Sequence, residues 1–364
     1  MSLGIRINVY AVEVKLRIKP KITRYFPSFI LFLFIVFTSF YMAFALEEYT
    51  VSAQAKLGAK GAKEFHLTAP GNLGGEINLQ VWDEGDCLVK FECWAKANTQ
   101  EKAKKFTDMI EMNLDREEEI VTLKLDTPHP APWEGSNYGI KATLHIYIPR
   151  DIKIVETKTS AFDVDISGPL EKVDVQNNYG DIRIKGVSGE TDIIGTYGQV
   201  EVEDMEGNLN IETSYNSISA TDINTKNGKA FLKTTYGKIE VARFKGQLEA
   251  NTVYSSINAS DVTILGGGNE IKTMYSKINL EFDQIKDAEL YVKNTYGNIN
   301  VLVPQDLSAS LLLIVGRGSK IRTSGILIKP QVVTKTRLEG VCGKEESEIE
   351  MHIDGIGQIS LEGR

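Results

Sequence analysis

Residues 234–241 read Thr-Thr-Tyr-Gly-Lys-Ile-Glu-Val, and residues 294–299 read Asn-Thr-Tyr-Gly-Asn-Ile. The phrase recurs around Tyr179, Tyr197, Tyr215, Tyr236, Tyr254, Tyr275 and Tyr296, at spacings of 18 or 21 residues. Half of the chain's 14 tyrosines stand on this ladder, so the repeat dominates the chain. With tyrosine as position zero, position +3 holds Ile182, Val200, Ile218, Ile239, Ile257, Ile278 and Ile299, β-branched without exception. Positions +5 and −4 are also apolar, as in Ile184 and Ile193, while +2 and +4 are polar. Position +1 is Gly, Asn or Ser, residues suited to a bend. Alternation with period two means strands, and each unit is two short strands with a turn after the tyrosine.

One such unit cannot bury its own apolar side. Stacking the units in register buries the +3 column against itself and runs the backbone hydrogen bonds from coil to coil. The fold class is therefore all-β. It is a parallel β-solenoid, or β-helix, of about 8–10 coils with repeats of 18–21 residues. The three extra residues of the longer units fall at a corner, as in Thr225–Gly228 and Leu265–Gly268. The ladder starts one unit early, with Ala161 in the tyrosine slot. It continues in degraded form through Gly318–Ile321 and again through Gly357–Leu361, with Lys329–Ser347 between them as a longer loop or excursion. Tyrosine shares its parity with the inward −2 and −4 columns, which predicts an internal or corner stack rather than a sugar-stacking stripe. The Thr and Asn residues at −2 are expected to form a hydrogen-bonded ladder between coils.

The chain divides into residues 1–45, a lead-in over 46–150 and the repeat over 151–364. In the lead-in, Gly75-Glu76-Ile77-Asn78-Leu79 echoes the +1, +3, +5 pattern and reads as a degenerate first coil. Asn98 with Glu101 makes a capping-box pair, and Ala103, Phe106, Ile110 and Leu114 form one apolar stripe. These predict one helix over Asn98–Leu114, packed across the open N-terminal end where strand edges would otherwise be exposed.

Residues 25–45 are apolar or weakly polar and uncharged, behind Lys15, Arg17, Lys19, Lys21 and Arg24. The run ends in Ala43-Phe44-Ala45, a small-x-small exit. This is a secretion signal with a cleavage site at Ala43 and Ala45, or an uncleaved anchor, since residues 26–45 are long enough to span a bilayer. Either way the body is expected to be exported to the periplasm, cell surface or medium. It contacts a membrane only through residues 26–45 if they are retained. Residues 46–364 carry 35 Lys and Arg against 48 Asp and Glu, which argues against nucleic acid as a partner.

The chemistry-bearing residues are sparse. His66, His129, His145 and His352 fit no metal-ligand spacing, so no metal or cofactor is expected. Cys87 and Cys93 lie six apart in one apparent strand and Cys342 is remote, which predicts buried free thiols rather than a disulfide. Asp163, Asp165 and Asp181 form the one faint acidic cluster that a polysaccharide-acting β-helix enzyme could use.

The repeated T-x-Y-G-x-I-x-V behind a secretion signal, with Val81-Trp82-Asp83 and Ile148-Pro149 ahead of the first coil, resembles the bacterial putative adhesin family of the DUF4097 type. The resemblance covers roughly residues 60–364. It implies an adhesin-like, non-enzymatic role and supplies no catalytic residues to carry over. The expected function is an exported binding scaffold whose partner is a surface polymer or an envelope protein. The rival expectations are a polysaccharide-acting enzyme and a membrane-tethered signalling ectodomain.

Overall fold

The structure, a computed structural model, describes residues 5–7 and 46–364. The secretion or anchor segment, including Ala43 and Ala45, lies outside the described residues. From Phe162 onward the chain winds as long bent strands: Phe162–Tyr179, Ile182–Tyr197, Val200–Glu212, Ile218–Lys233, Ile239–Asn251, Ile257–Thr273 and Ile278–Asn294. Each pairs in parallel with the next, and the +3 residues lie directly over one another. Ile182 pairs with Val200, Val200 with Ile218, Ile218 with Ile239, Ile239 with Ile257, and Ile257 with Ile278. The parallel β-solenoid is therefore the observed fold, and its core is a dry interior between the two sheets of every coil. Ile218, Ile239, Ile257, Ile278 and Ile299 are completely buried.

A further inward column escapes a count by strict alternation. Position +7 is a left-handed bulge, occupied by Gly186, Asp204, Asp222, Arg243 and Asp261, all with positive φ. The bulge shifts the inward parity by one. Val187, Met205, Ile223, Phe244 and Val262 at +8 are then buried. Asp and Gly tolerate this conformation, and Arg243 is held there by a fork of two hydrogen bonds to Asp222, at 2.6 and 2.7 Å.

The degenerate coils are present. Val164 and Ile166 pair with Ile77 and Leu79 on one side and with Ile182 and Ile184 on the other. The strands of the lead-in thus continue the same sheets, and antiparallel pairing of Glu47–Gly58 with Asp86–Ala97 ends the stack. The helix is shorter than expected. It spans Gln100–Thr107, and its N-cap is Thr99, whose hydroxyl accepts the Lys102 N–H, rather than Asn98. Residues Glu111–Glu117 form a strand paired antiparallel with Ile120–Asp126, because Met112 and Leu114 alternate inward with period two. The helix lies against the strands that end the stack: the Gln100 N–H donates to Glu47 Oε2, and Ala103 and Phe106 pack with Ala95, Ala97, Ala131 and Trp133 in a small second core.

In the C-terminal region the excursion over Lys329–Ser347 is built as an antiparallel hairpin of Lys329–Val333 and Arg337–Cys342 rather than as a plain loop. The last winding does not stack last. Ser347–Ile353 pairs with both Ile278–Asn294 and Ala309–Val315. Gln358–Gly363 lies between Ile299–Val303 and Lys320–Ser324. The end of the chain is thus inserted between two windings that precede it in sequence. Arg364 fastens it there with ion pairs to Glu281 and Asp283.

Cys87, Cys93 and Cys342 are buried free thiols. Burial pushes the Cys87 and Cys93 thiols up to about 12. Neither should react with a disulfide reagent at pH 8 in the native protein, and both should react after denaturation. Fast modification of the native protein would contradict this packing.

Candidate functional site

The tyrosine ladder is formed by the bend that joins one coil to the next. At each bend the tyrosine N–H donates to the −1 carbonyl of the preceding coil, as from Tyr215 to Thr196 and from Tyr254 to Thr235. The residue at −2 closes the turn from inside. Thr252 Oγ1 donates to the Gly237 carbonyl at 3.0 Å, Thr273 Oγ1 to that of Ser255 at 2.8 Å, and Asn177 Nδ2 to that of Phe162 at 2.6 Å. The −2 column therefore does bond from coil to coil, through the backbone at +1 in these coils and also side chain to side chain where Thr159 Oγ1 donates to Asn177 Oδ1 at 3.1 Å. Position +1 must come close to its neighbour: a Cβ on Gly198, at φ 148°, would lie 1.8 Å from the Gly180 carbonyl oxygen.

This turn takes up positions −1 to +2 and resets the strand parity. The tyrosines consequently form a corner stack whose outer edges meet solvent, rather than an internal one. Tyr179, Tyr197, Tyr215, Tyr236, Tyr254, Tyr275 and Tyr296 are 42–54% exposed. Their rings stack one on another with centroids 4.5–5.6 Å apart and planes within 4–9° of parallel. Stacking occupies the ring faces, so only edges and hydroxyls meet solvent. A sugar needs a free aromatic face, and within the ladder none is offered.

The Tyr197 phenol is held above its ordinary value, first by the neighbouring Tyr215 phenol and then by burial. A raised value means the folded state keeps the proton to higher pH than the unfolded chain does. The contribution is present below the ordinary tyrosine range and is lost as pH rises through the folded value. Phenolate absorbance of the intact protein minus that of Tyr197→Phe should titrate above the ordinary tyrosine midpoint. A midpoint at or below it would mean that the rings are not held together.

Two acids of the faint cluster are engaged by the backbone of the adjoining coil. Asp163 Oδ1 accepts the Asp181 N–H at 2.8 Å, and Asp181 Oδ1 accepts the Gln199 N–H at 2.9 Å. These carboxylates brace successive bends and do not converge on a substrate position. His66 and His352 each lie beside a glutamate, Glu64 and Glu350, on outward strand faces. Among the described residues, no group of three His, Cys, Asp or Glu is placed to hold a metal ion.

The family profile described as Toastrack DUF4097 matches residues 75–310, from the degenerate first coil to the strand beyond the tyrosine ladder. The chain belongs to the Toastrack DUF4097 family. The Toastrack match stops short of the inserted C-terminal winding. No curated protein matches the chain. Among solved structures, a putative cell adhesion protein from Clostridium sporogenes is 10% identical, with 88% of this chain and 100% of that chain covered and a TM-score of 0.21. A putative adhesin from Bacteroides fragilis is 13% identical, with 85% and 96% covered and a TM-score of 0.26. A putative lipid binding protein from Parabacteroides distasonis is 14% identical, with 84% and 96% covered and a TM-score of 0.23.

Proposed function

We propose that this Toastrack protein is an exported, non-catalytic binding scaffold of the adhesin kind. It works outside the cytoplasm and holds a surface polymer or envelope protein along its length. The observation that carries the reading is the half-exposed tyrosine edge. Seven rings in one orientation run about 30 Å along the axis, in six steps of about one coil each. An edge so regular suits a repeated, extended partner better than a single small molecule, which calls for a concave pocket. The acids that a β-helix hydrolase would need are engaged by backbone amides, which supports binding over cleavage. The apolar segment ending in Ala43-Phe44-Ala45 supplies the route of export.

Cell fractionation with N-terminal sequencing tests the reading. The protein should be found in an envelope or extracellular fraction, beginning at Leu46 or retained in the membrane with its anchor. A soluble cytoplasmic protein that still carries residues 1–45 would overturn it.

A further inference from the structure

We propose that the outward face beside the tyrosine edge, from Ser217 to Leu302, binds an uncharged polysaccharide laid along the rod axis. The proposal rests on the scaffold reading and names its ligand. Along this face a trough of about 660 Å³ runs over five successive coils, lined by the +4 and +6 columns. Ser219, Thr221, Asn258, Ser260, Asn279 and Asn300 supply its neutral polar lining, and Glu240 and Glu281 are its two carboxylates.

The trough begins where long side chains end. Two coils earlier, position +6 carries Lys185 and then Glu203, paired across coils at 3.1 Å. From Thr221 through Ala242 to Ser260 the same column holds short side chains, and the surface recedes.

Beside it the +4 column becomes a ladder of carboxamides. Asn279 Nδ2 donates to Asn258 Oδ1 at 2.7 Å, and Asn300 Nδ2 donates to Asn279 Oδ1 at 2.9 Å. Asn279 uses one N–H and one lone pair on its neighbours and keeps a second donor and a second lone pair. These amides are half-buried and recur once per coil, about every 4.8 Å. That pitch is close to one pyranose ring of an extended, equatorially linked chain, so successive sugar hydroxyls would meet successive amides.

Charge selects the class of polymer. On these five coils Lys238 pairs with Glu240 at 2.9 Å, and Glu281 pairs with Arg364. Among the described residues, Lys277 is then the one unpaired charge at positions +2, +4 and +6 of the five coils. The opposite sheet is different in kind. It carries Lys229 with Glu249, Lys233 with Glu212, and Lys293 with Asp354. Neutral hydroxyls and amides exchange hydrogen bonds with water at little cost, whereas a charged polymer would lose hydration here without gaining counter-charges. An anionic glycan is further disfavoured by the acidic balance of the chain.

The test is affinity measurement of the intact protein against cellohexaose, chitohexaose and mannohexaose, with polygalacturonate as the charged control. At least one uncharged oligosaccharide should bind, with little dependence on salt. Ser260→Trp, which fills the trough, and Asn279→Leu, which breaks the amide ladder, should each weaken binding about tenfold or more, roughly 1.4 kcal/mol per factor of ten. Asn279→Gln should restore part of it, and Glu270→Gln on the opposite sheet should leave it unchanged. Circular dichroism confirms that each variant is folded. Binding to polygalacturonate alone, binding to no glycan, or binding indifferent to Ser260→Trp would each overturn the proposal. Protein that ignores the oligosaccharides yet adheres to isolated cell envelopes would remove the glycan and leave the scaffold standing. Adhesion to neither would remove both.

Discussion

Deletion of residues 347–364 should unravel the C-terminal end of the rod and leave the coils before it intact. The deleted winding buries Ile349, Met351, Ile353, Ile359 and Leu361 almost completely. At about 1.5–3 kcal/mol for each such side chain, the loss is on the order of 10 kcal/mol, comparable to the whole stability of an ordinary domain. In a stack of repeats the damage stays near the break, because each winding contacts only its neighbours. Ala309–Val315 and Lys320–Ser324 would lose the parallel partners they have in Ser347–Ile353 and Gln358–Gly363. Limited proteolysis should therefore cut rapidly between residues 304 and 346, while a fragment ending near Val303 survives. A truncated protein that resists protease there would mean that Ala309–Val315 had slid into the vacated rung.

Ile257→Asp should have the largest effect of any single change in the middle of the rod. Ile257 is fully buried between Ile239 and Ile278 of the adjoining coils. A carboxylate there has no counter-charge, so it must be buried unpaired or take up a proton, at a cost of several kcal/mol. Ile257→Ala, which only leaves a cavity, should cost about 2–5 kcal/mol. Glu289→Gln, exposed on an outward face, should change stability by less than about 0.5 kcal/mol. Urea denaturation followed by circular dichroism ranks the three. Equal midpoints for Ile257→Asp and Glu289→Gln would show that the +3 column is not the core.

Much of this architecture is legible in the sequence because the repeat samples each environment seven times. Columns +3, +5 and −4 stand out, and even the coils with Ala161 or Gly75-x-Ile77 in place of the tyrosine phrase fall into register. The inward column past the bulge is harder to see. Gly186, Asp204 and Asp222 shift the parity at +7, although a column of Gly and Asp is itself a readable signature of left-handed backbone. The tyrosines point outward for the same kind of reason, since the turn from −1 to +2 interrupts the alternation. The stripe through Ile110 and Leu114 fits a helix and a strand alike at that spacing, and pairing with Ile120–Asp126 decides it. The order of the last windings is not written locally at all. Ile321 and Ile359 suit any rung equally well, so periodicity says what a rung accepts and not which segment takes it. The trough is legible only in three dimensions, because short side chains at +6 become a depression only when stacked.

The inserted winding also orders events in time. Synthesis delivers Ala309–Val315 before Ser347–Ile353, yet in the finished rod the later segment separates the earlier one from the main stack. Coils up to Val303 can zip together as they emerge, but Ala309–Val315 and Lys320–Ser324 must wait, unseated, until residues 347–363 have been made. The rod is thus completed out of chain order, and Arg364, paired with Glu281 and Asp283, is the latch that closes it.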